Sequence, residues 1–222
     1  QLLFLIIFST VLLLLYSYVG WRLILPLGIS TIYRHLLGIL LVLFYCLPLL
    51  TIILYFNKVE TQWTRIIAWL GYTGLGAVSL LFFIQLGMDI VSGLSSLIVG
   101  SHKFDPHRRA FLGLSAKGIV GGLGAIGTLW GLYNATKEPV IKRVEIKIDG
   151  LPESLNGFRM AQITDLHVGS MIGGNFVEKV TRKIQNLNAD ILFITGDAAD
   201  GSVQSYGKHL QSLAEIHPRY GK

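Results

Sequence analysis

Long apolar runs fill the first 136 residues and restrict what this chain can fold into. A helix needs about 20 mostly apolar residues to cross the hydrocarbon core of a bilayer. Four stretches reach or approach that length, and the sequence predicts a transmembrane helix in each of them: 2–19, 36–56, 66–87 and 110–133. We therefore expect residues 1–136 to form a multi-span α-helical membrane region whose first partner is the lipid bilayer.

Charge is distributed unevenly along the chain. Residues 1–136 contain eight Lys or Arg and three Asp or Glu, whereas residues 137–222 contain eleven and ten. The net charge of +6 thus arises mainly beside the apolar runs, where basic residues orient the spans. No basic stripe with interleaved aromatic residues is present, so nucleic acid is not expected as a partner.

The loops between the spans predict an orientation in the cytoplasmic membrane. With four spans, loops 20–35 and 101–109 lie on the same side, and loop 57–65 lies on the other. The first two loops carry five basic residues against one acidic residue, Asp105: Arg22, Arg34, Lys103, Arg108 and Arg109. The positive-inside rule places these loops in the cytoplasm. Residues 137–222 are therefore expected on the extracytoplasmic side.

An arginine pair precedes the fourth span. The segment Arg108–Leu112 resembles a twin-arginine export signal, although it is internal, and this reading makes the export machinery a partner. The other reading is two positive-inside arginines, and both readings place the C-terminal region outside. Within the spans, Asp89 is a functional candidate by default, but its place near the interface favours a solvated or helix-end role. Lys117 is expected to extend towards the headgroups.

Residues 137–222 have the pattern of a small α/β domain. Alternating apolar residues predict a half-exposed strand over 140–148, and apolar runs predict more buried strands over 158–164 and 191–195. Helical spacing of apolar residues indicates helices over 175–186 and 203–216. The unit 158–195 has the length of a parallel βαβ crossover. Because 86 residues make only a small core, we expect the front part of a larger domain, in a chain that is itself a fragment.

Two polar motifs follow the two buried strands. The first strand ends in Thr164-Asp165-Leu166-His167, and the second ends in Gly196-Asp197-Ala198-Ala199-Asp200. Ligands bind at the carboxyl ends of parallel strands in open α/β sheets. If these strands are neighbours, Asp165 and Asp197 lie side by side, and two close carboxylates need a cation or a proton between them. With His167 they form a donor set that suits Mn, Fe or Zn better than Ca.

These motifs resemble those of the calcineurin-like metallophosphoesterases, in the membrane-anchored bacterial branch. The passages RVEIKIDGLPESLNGFRMAQITDLHVG and NADILFITGDAADG carry the likeness. The resemblance implies a β-sandwich flanked by helices and a site for two divalent metal ions (Mn, Fe or Zn). It also implies that Asp165 and His167 bind one metal and that Asp197 bridges it to the second.

The chain departs from the family pattern after Asp200. A Gly-Asn-His segment and a Gly-His-x-His segment, which complete the second metal site and supply the general acid in the family, are absent from it. His209 and His217 have no matching context and are predicted to be surface histidines. Asp200 is predicted to be the N-cap of the helix that starts near residue 202. We expect this chain alone to bind metals poorly and to lack turnover.

The sequence therefore predicts a membrane-anchored, metal-dependent phosphoesterase that hydrolyses phosphomonoester, phosphodiester or pyrophosphate bonds. Anchoring beside the bilayer suggests a lipid-linked or cell-envelope substrate. The alternative is a non-catalytic membrane protein with a phosphoesterase-like binding domain, which would follow if the reading frame stopped at Lys222. A transporter is disfavoured because the predicted spans hold only Asp89 and Lys117 as ionisable groups.

Overall fold

The computed structural model describes residues 1–59, 61–99, 106–169, 171–201 and 203–222. The chain divides into two compact units, Gln1–Thr136 and Lys137–Lys222. The first unit contains the long apolar helices, and the second contains parallel strands with helices between and after them. This order confirms the predicted fold class, an α-helical multi-span region followed by a small α/β region.

The first unit is built from long helices. They are α1 (Leu2–Val19, continued by a π-helical turn over Gly20–Ile24), α2 (Thr31–Phe56), α3 (Gln62–Val99) and α4 (Pro106–Thr136). Among the described residues, four helical stretches are long and apolar enough to cross a membrane: Leu2–Ile24, Thr31–Phe56, Gln62–Leu97 and Phe111–Thr136. Many large apolar side chains point outward from these helices, as expected for lipid-facing surfaces.

The helices are longer than the apolar runs that predicted them. Helix α2 starts five residues before 36, α3 runs on past residue 87 to Val99, and α4 starts at Pro106 rather than at 110. A helix ends where its backbone hydrogen bonding is broken, whereas hydropathy marks only the part that would lie in lipid. The side chains of Arg108 and Arg109, and residues 100–105, lie outside the described residues, so the twin-arginine hypothesis stays a prediction.

Asp89 on α3 is the centre of a hydrogen-bonded cluster with the first span. Its carboxylate accepts hydrogen bonds from the Tyr18 hydroxyl at 2.5 Å, from Arg22 Nε at 2.7 Å and from Gln85 Nε2 at 2.7 Å. Arg22 Nη2 also donates to this carboxylate. The solvated or helix-end role predicted for Asp89 is therefore replaced by an ion pair that joins α1 to α3. Lys117 Nζ donates to the Pro26 carbonyl oxygen at 3.3 Å.

Close packing of α2 against α3 depends on glycine. A Cβ placed on Gly74 would lie 2.3 Å from Phe44 Cδ1, whereas a Cβ on Gly76 would meet no heavy atom within 4 Å. We expect Gly74→Ala to destabilise the protein by about 1–3 kcal/mol, because Phe44 must leave its position. Gly76→Ala is the matched control and should be neutral or slightly stabilising. Thermal unfolding in detergent measures both, and equal shifts for the two variants would contradict the close approach.

The second unit has a two-stranded parallel sheet. Strand β1 (Met160–Ile163) pairs with β2 (Ile191–Ile194) in the register Met160 to Ile191 and Ile163 to Ile194. Helix α5 (Gly174–Gln185) connects the strands and packs its apolar face on the sheet. The unit's core is formed by buried residues of the strands, of α5 and of the segments that follow: Ala161, Leu166, Val168, Val177, Val180, Ile184, Leu192, Tyr206, Leu213 and Ile216.

Two elements differ from the prediction. Residues 140–148 form no strand, and Val140 and Val144 are exposed. Their alternating pattern suits a sheet, but strand geometry needs a hydrogen-bonded partner, and the described residues provide none. The predicted helix over 203–216 is a short α-helix, α6 (Val203–Tyr206), followed by a 3₁₀-helix over Gly207–Glu215. The 3₁₀ form aligns every third residue, which brings Leu210, Leu213 and Ile216 onto the core.

Candidate metal centre

The segments that follow β1 and β2 stay side by side beyond the sheet. Asp165 N donates to the Gly196 carbonyl oxygen at 3.2 Å, and His167 N donates to that of Asp197 at 2.9 Å. Val168 N then donates to the Ala198 carbonyl oxygen at 3.1 Å. These backbone bonds fix the register between the two motifs. The predicted neighbouring strands are confirmed, and both motifs lie at the carboxyl edge of the sheet.

The backbone of the site lies in the left-handed region at three non-glycine residues. The φ angles are 54° at Asp165, 45° at His167 and 44° at Asp197. Each such conformation costs a non-glycine residue about 1–2 kcal/mol, although Asp and His tolerate it better than most. Strain of this kind collects at functional sites, where the surrounding structure holds it in place. Here the ladder of hydrogen bonds between the two segments holds these three residues.

Asp165, His167 and Asp197 converge as the sequence predicted. One ligand atom from each lies within 4.8 Å of the others. His167 Nε2 is 3.8 Å from Asp165 Oδ1 and 4.0 Å from Asp197 Oδ2. The side chains are 60%, 46% and 72% exposed for Asp165, His167 and Asp197, so the cluster is open to solvent.

The donor set fits a divalent cation. Ligand atoms around one ion bound at about 2.0–2.2 Å lie about 3–3.5 Å apart, so a small contraction of this cluster would enclose one. Among the described residues, neither Asp165 nor Asp197 has an ion pair with Lys or Arg, and the His167 imidazole is the basic group near both. Carboxylate oxygens with an imidazole nitrogen suit Mn, Fe and Zn. Their role as metal ligands remains a prediction.

Asp200 lies against the other nitrogen of the imidazole ring. Its Oδ1 is 2.7 Å from His167 Nδ1. This hydrogen bond, together with the charge of Asp200, raises the pKa of His167 above its usual range, with smaller contributions from Asp197 and Asp165. Helix α6 begins at Val203, and residue 202 lies outside the described residues, so the N-cap role of Asp200 stays a prediction. The sequence offered a hint of this contact, because Asp200 lies three residues after Asp197 on the segment that follows β2.

The two downstream histidines do not join the cluster. His217 is exposed, in agreement with the prediction. His209 differs from the prediction because it is only partly exposed, and its Nδ1 accepts a hydrogen bond from Gly174 N at 3.1 Å. This bond satisfies a backbone N–H at the start of α5, which is a structural role.

Comparisons with known proteins find relatives over part of the chain. A zebrafish (Danio rerio) transmembrane protein with metallophosphoesterase domain is 34% identical over 97 residues, which are 44% of this chain and 22% of that protein. An uncharacterized metallophosphoesterase of Helicobacter pylori is 29% identical over 100 residues, 45% of this chain and 26% of that protein. The UDP-2,3-diacylglucosamine pyrophosphatase LpxG of Chlamydia trachomatis is 43% identical over 88 residues, 38% of this chain and 27% of the relative.

No family model matches the chain, and no solved structure matches it significantly. The matched segment spans only about a quarter of the length of these three relatives. Two of the three are nevertheless named as metallophosphoesterases, and one of these is named for a transmembrane region as well. Somewhat less than half of this chain is therefore homologous to metallophosphoesterases, including members that span membranes.

Proposed function

We propose that the protein is a membrane-anchored, metal-dependent phosphoesterase. Residues 1–136 are its anchor, and residues 137–222 form the first part of its metallophosphoesterase domain. One observation carries the proposal: Asp165, His167 and Asp197 converge at the carboxyl edge of a parallel sheet. The homology of the chain to metallophosphoesterases supports this reading.

Each site residue has a distinct part in this proposal. Asp165 and His167 hold one divalent ion, and Asp197, on the neighbouring segment, is placed to share that ion with a second one. When bound, two such ions supply a nucleophilic water and stabilise charge on both oxygens of an in-line displacement at phosphorus. The open cluster leaves space for a phosphate group to approach from solvent, and the backbone hydrogen bonds between the two segments hold the carboxylates in position before substrate arrives.

The substrate class in this proposal is a phosphoric ester or pyrophosphate carried by a lipid or by a cell-envelope molecule. Two observations support it. The first unit has helices that are suited to the bilayer, and one relative is named as a pyrophosphatase of a diacylated glucosamine nucleotide. The basic loops, interpreted by the positive-inside rule, support an extracytoplasmic position of the domain at the cytoplasmic membrane.

The complete product of the gene that encodes this chain provides the test. In detergent, we expect it to hydrolyse a bis-aryl phosphodiester or an aryl phosphate when Mn²⁺ is present, and to lose that activity when EDTA removes the metal. Re-addition of Mn²⁺ should restore it. No hydrolysis with Mn, Fe or Zn, together with no bound metal by elemental analysis, would favour the non-catalytic alternative over the enzyme.

A further inference from the structure

The contact between Asp200 and His167 is held by the backbone on both sides. Asp200 N donates to the Val168 carbonyl oxygen at 2.9 Å, and Val168 N donates to that of Ala198 at 3.1 Å. Val168 also forms a parallel bridge with Ala199. Val168, which follows His167, is thus paired with the segment 198–200 that carries the Asp200 carboxylate. The 2.7 Å contact between the side chains therefore follows from the register of the two segments.

Space beside Asp200 is kept open by a glycine. A Cβ on Gly169 would lie 3.3 Å from Asp200 Cβ and 3.6 Å from Asp200 Oδ2. The first distance is shorter than ordinary van der Waals contact, so a side chain at 169 would make Asp200 Cβ give way by a few tenths of an ångström. The segment after His167 is thereby shaped to accept Asp200.

The chemistry of this contact determines which imidazole nitrogen is free. An ionised carboxylate can only accept hydrogen bonds, so Nδ1 of His167 must carry the proton that it donates to Asp200. In the neutral ring, Nε2 then has the lone pair. Nε2 is the nitrogen that faces the cluster, at 3.8 Å from Asp165 Oδ1 and 4.0 Å from Asp197 Oδ2.

We propose that Asp200 is a positioning residue that holds His167 in the Nδ1–H tautomer and turns its Nε2 towards the Asp165–Asp197 pair. This inference rests on the proposed metal site and adds a residue to it. Histidines that bind metals commonly donate their second ring N–H to a carboxylate, which fixes the ring and raises its basicity as a ligand. Asp200 is not itself a ligand in this arrangement, because it lies on the side of the ring away from the cluster.

The first part of the test examines the metal-free chain in detergent. Long-range ¹H–¹⁵N spectra of ring-labelled histidines report the tautomer of the neutral ring. Because Asp200 raises the pKa of His167 above the ordinary value of about 6.5, the spectra are recorded at increasing pH until the His167 signals no longer shift. A His167→Gln sample identifies the signal. We expect the Nδ1–H tautomer in the wild type and in Asp200→Asn, whose amide oxygen still accepts the bond. We expect a change towards Nε2–H in Asp200→Ala.

The second part measures Mn²⁺ binding to the complete gene product by equilibrium dialysis, with the same substitutions. Loss of a carboxylate behind a metal-binding histidine typically weakens affinity by about 10–100-fold, so we expect a loss of that size in Asp200→Ala. Asp200→Asn should lose less, and Gly169→Ala, which crowds Asp200 without removing its carboxylate, should fall between Asp200→Ala and the wild type.

Some results would overturn the role of Asp200. An Asp200→Ala variant with unchanged tautomer would do so, whether or not its Mn²⁺ affinity falls, and so would unchanged affinity despite a changed tautomer. Failure of the proposed function has a different signature, since the wild-type complete gene product would then bind no Mn²⁺ and hydrolyse no phosphoester. In that case the spectra of the metal-free chain would still show whether Asp200 fixes the ring.

Discussion

Replacing Asp197 with Asn should lower kcat/KM of the complete gene product for a phosphodiester by about 10³-fold, which corresponds to about 4 kcal/mol of transition-state stabilisation. The change removes one negative charge from a site proposed to hold two cations, and the remaining amide oxygen is a weaker ligand. The fold should survive, because Asn tolerates the left-handed backbone found at this position and the side chain is 72% exposed. Initial rates at saturating Mn²⁺ measure the effect.

A matched control lies at the opposite end of the same strand. Asp190 precedes β2, and its carboxylate accepts a hydrogen bond from Arg159 N at 2.8 Å, away from the cluster. Asp190→Asn makes the same chemical change and keeps an acceptor oxygen for that bond, so its kcat/KM should stay within a few-fold of the wild type. Comparable losses in the two variants would indicate a general structural effect, and full activity in Asp197→Asn would remove this residue from the metal site.

The sequence predicted the site's position because the relevant signals are local. Two buried strands, each followed at once by an acidic motif, are enough to bring Asp165 and Asp197 to one edge once the strands pair in parallel. The contact between Asp200 and His167 was not predicted because it depends on how far the two segments remain hydrogen-bonded beyond the sheet. That extension passes through left-handed residues at the end of each strand, and local pattern does not specify their φ angles.

The absence of the strand predicted over 140–148 has a related cause. Alternation of apolar and polar residues reports suitability for a sheet, whereas strand formation depends on a partner elsewhere in the chain. In the membrane unit, hydropathy found the spans but treated each one separately. The pairing of Arg22 with Asp89 joins residues 67 positions apart, so neither residue's own neighbourhood could reveal it.

That pair leads to a second large expected effect. Arg22 and Asp89 both lie within helices long and apolar enough to span the membrane, and their side chains are 37% and 23% exposed. The Asp89 carboxylate is satisfied by donors from Tyr18, Arg22 and Gln85. A carboxylate with this many fixed donors is suited to joining α1 to α3. It is poorly suited to carrying a proton or an ion, which requires partners that exchange.

Asp89→Leu should destabilise the first unit by about 2–3 kcal/mol, because Arg22 is left without a counter-charge in an apolar environment. Loss of one partner of a fully buried pair costs about 3–5 kcal/mol, and the partial exposure of this pair reduces the figure. The double variant Arg22→Leu/Asp89→Leu should recover most of the loss, because both desolvation penalties disappear. Tyr18→Phe removes one donor and should cost about 1 kcal/mol.

Unfolding in detergent of the two single variants and the double variant gives the coupling energy between Arg22 and Asp89. We expect this coupling energy to cancel most of the sum of the two single losses, because each residue destabilises the protein mainly when its partner has been removed. If the single losses simply add, the pair does not hold α1 against α3, and Asp89 would again be a candidate for an exchanging role. A strongly destabilised double variant would instead mean that the polar cluster, including Tyr18 and Gln85, is needed as a whole to order the first span.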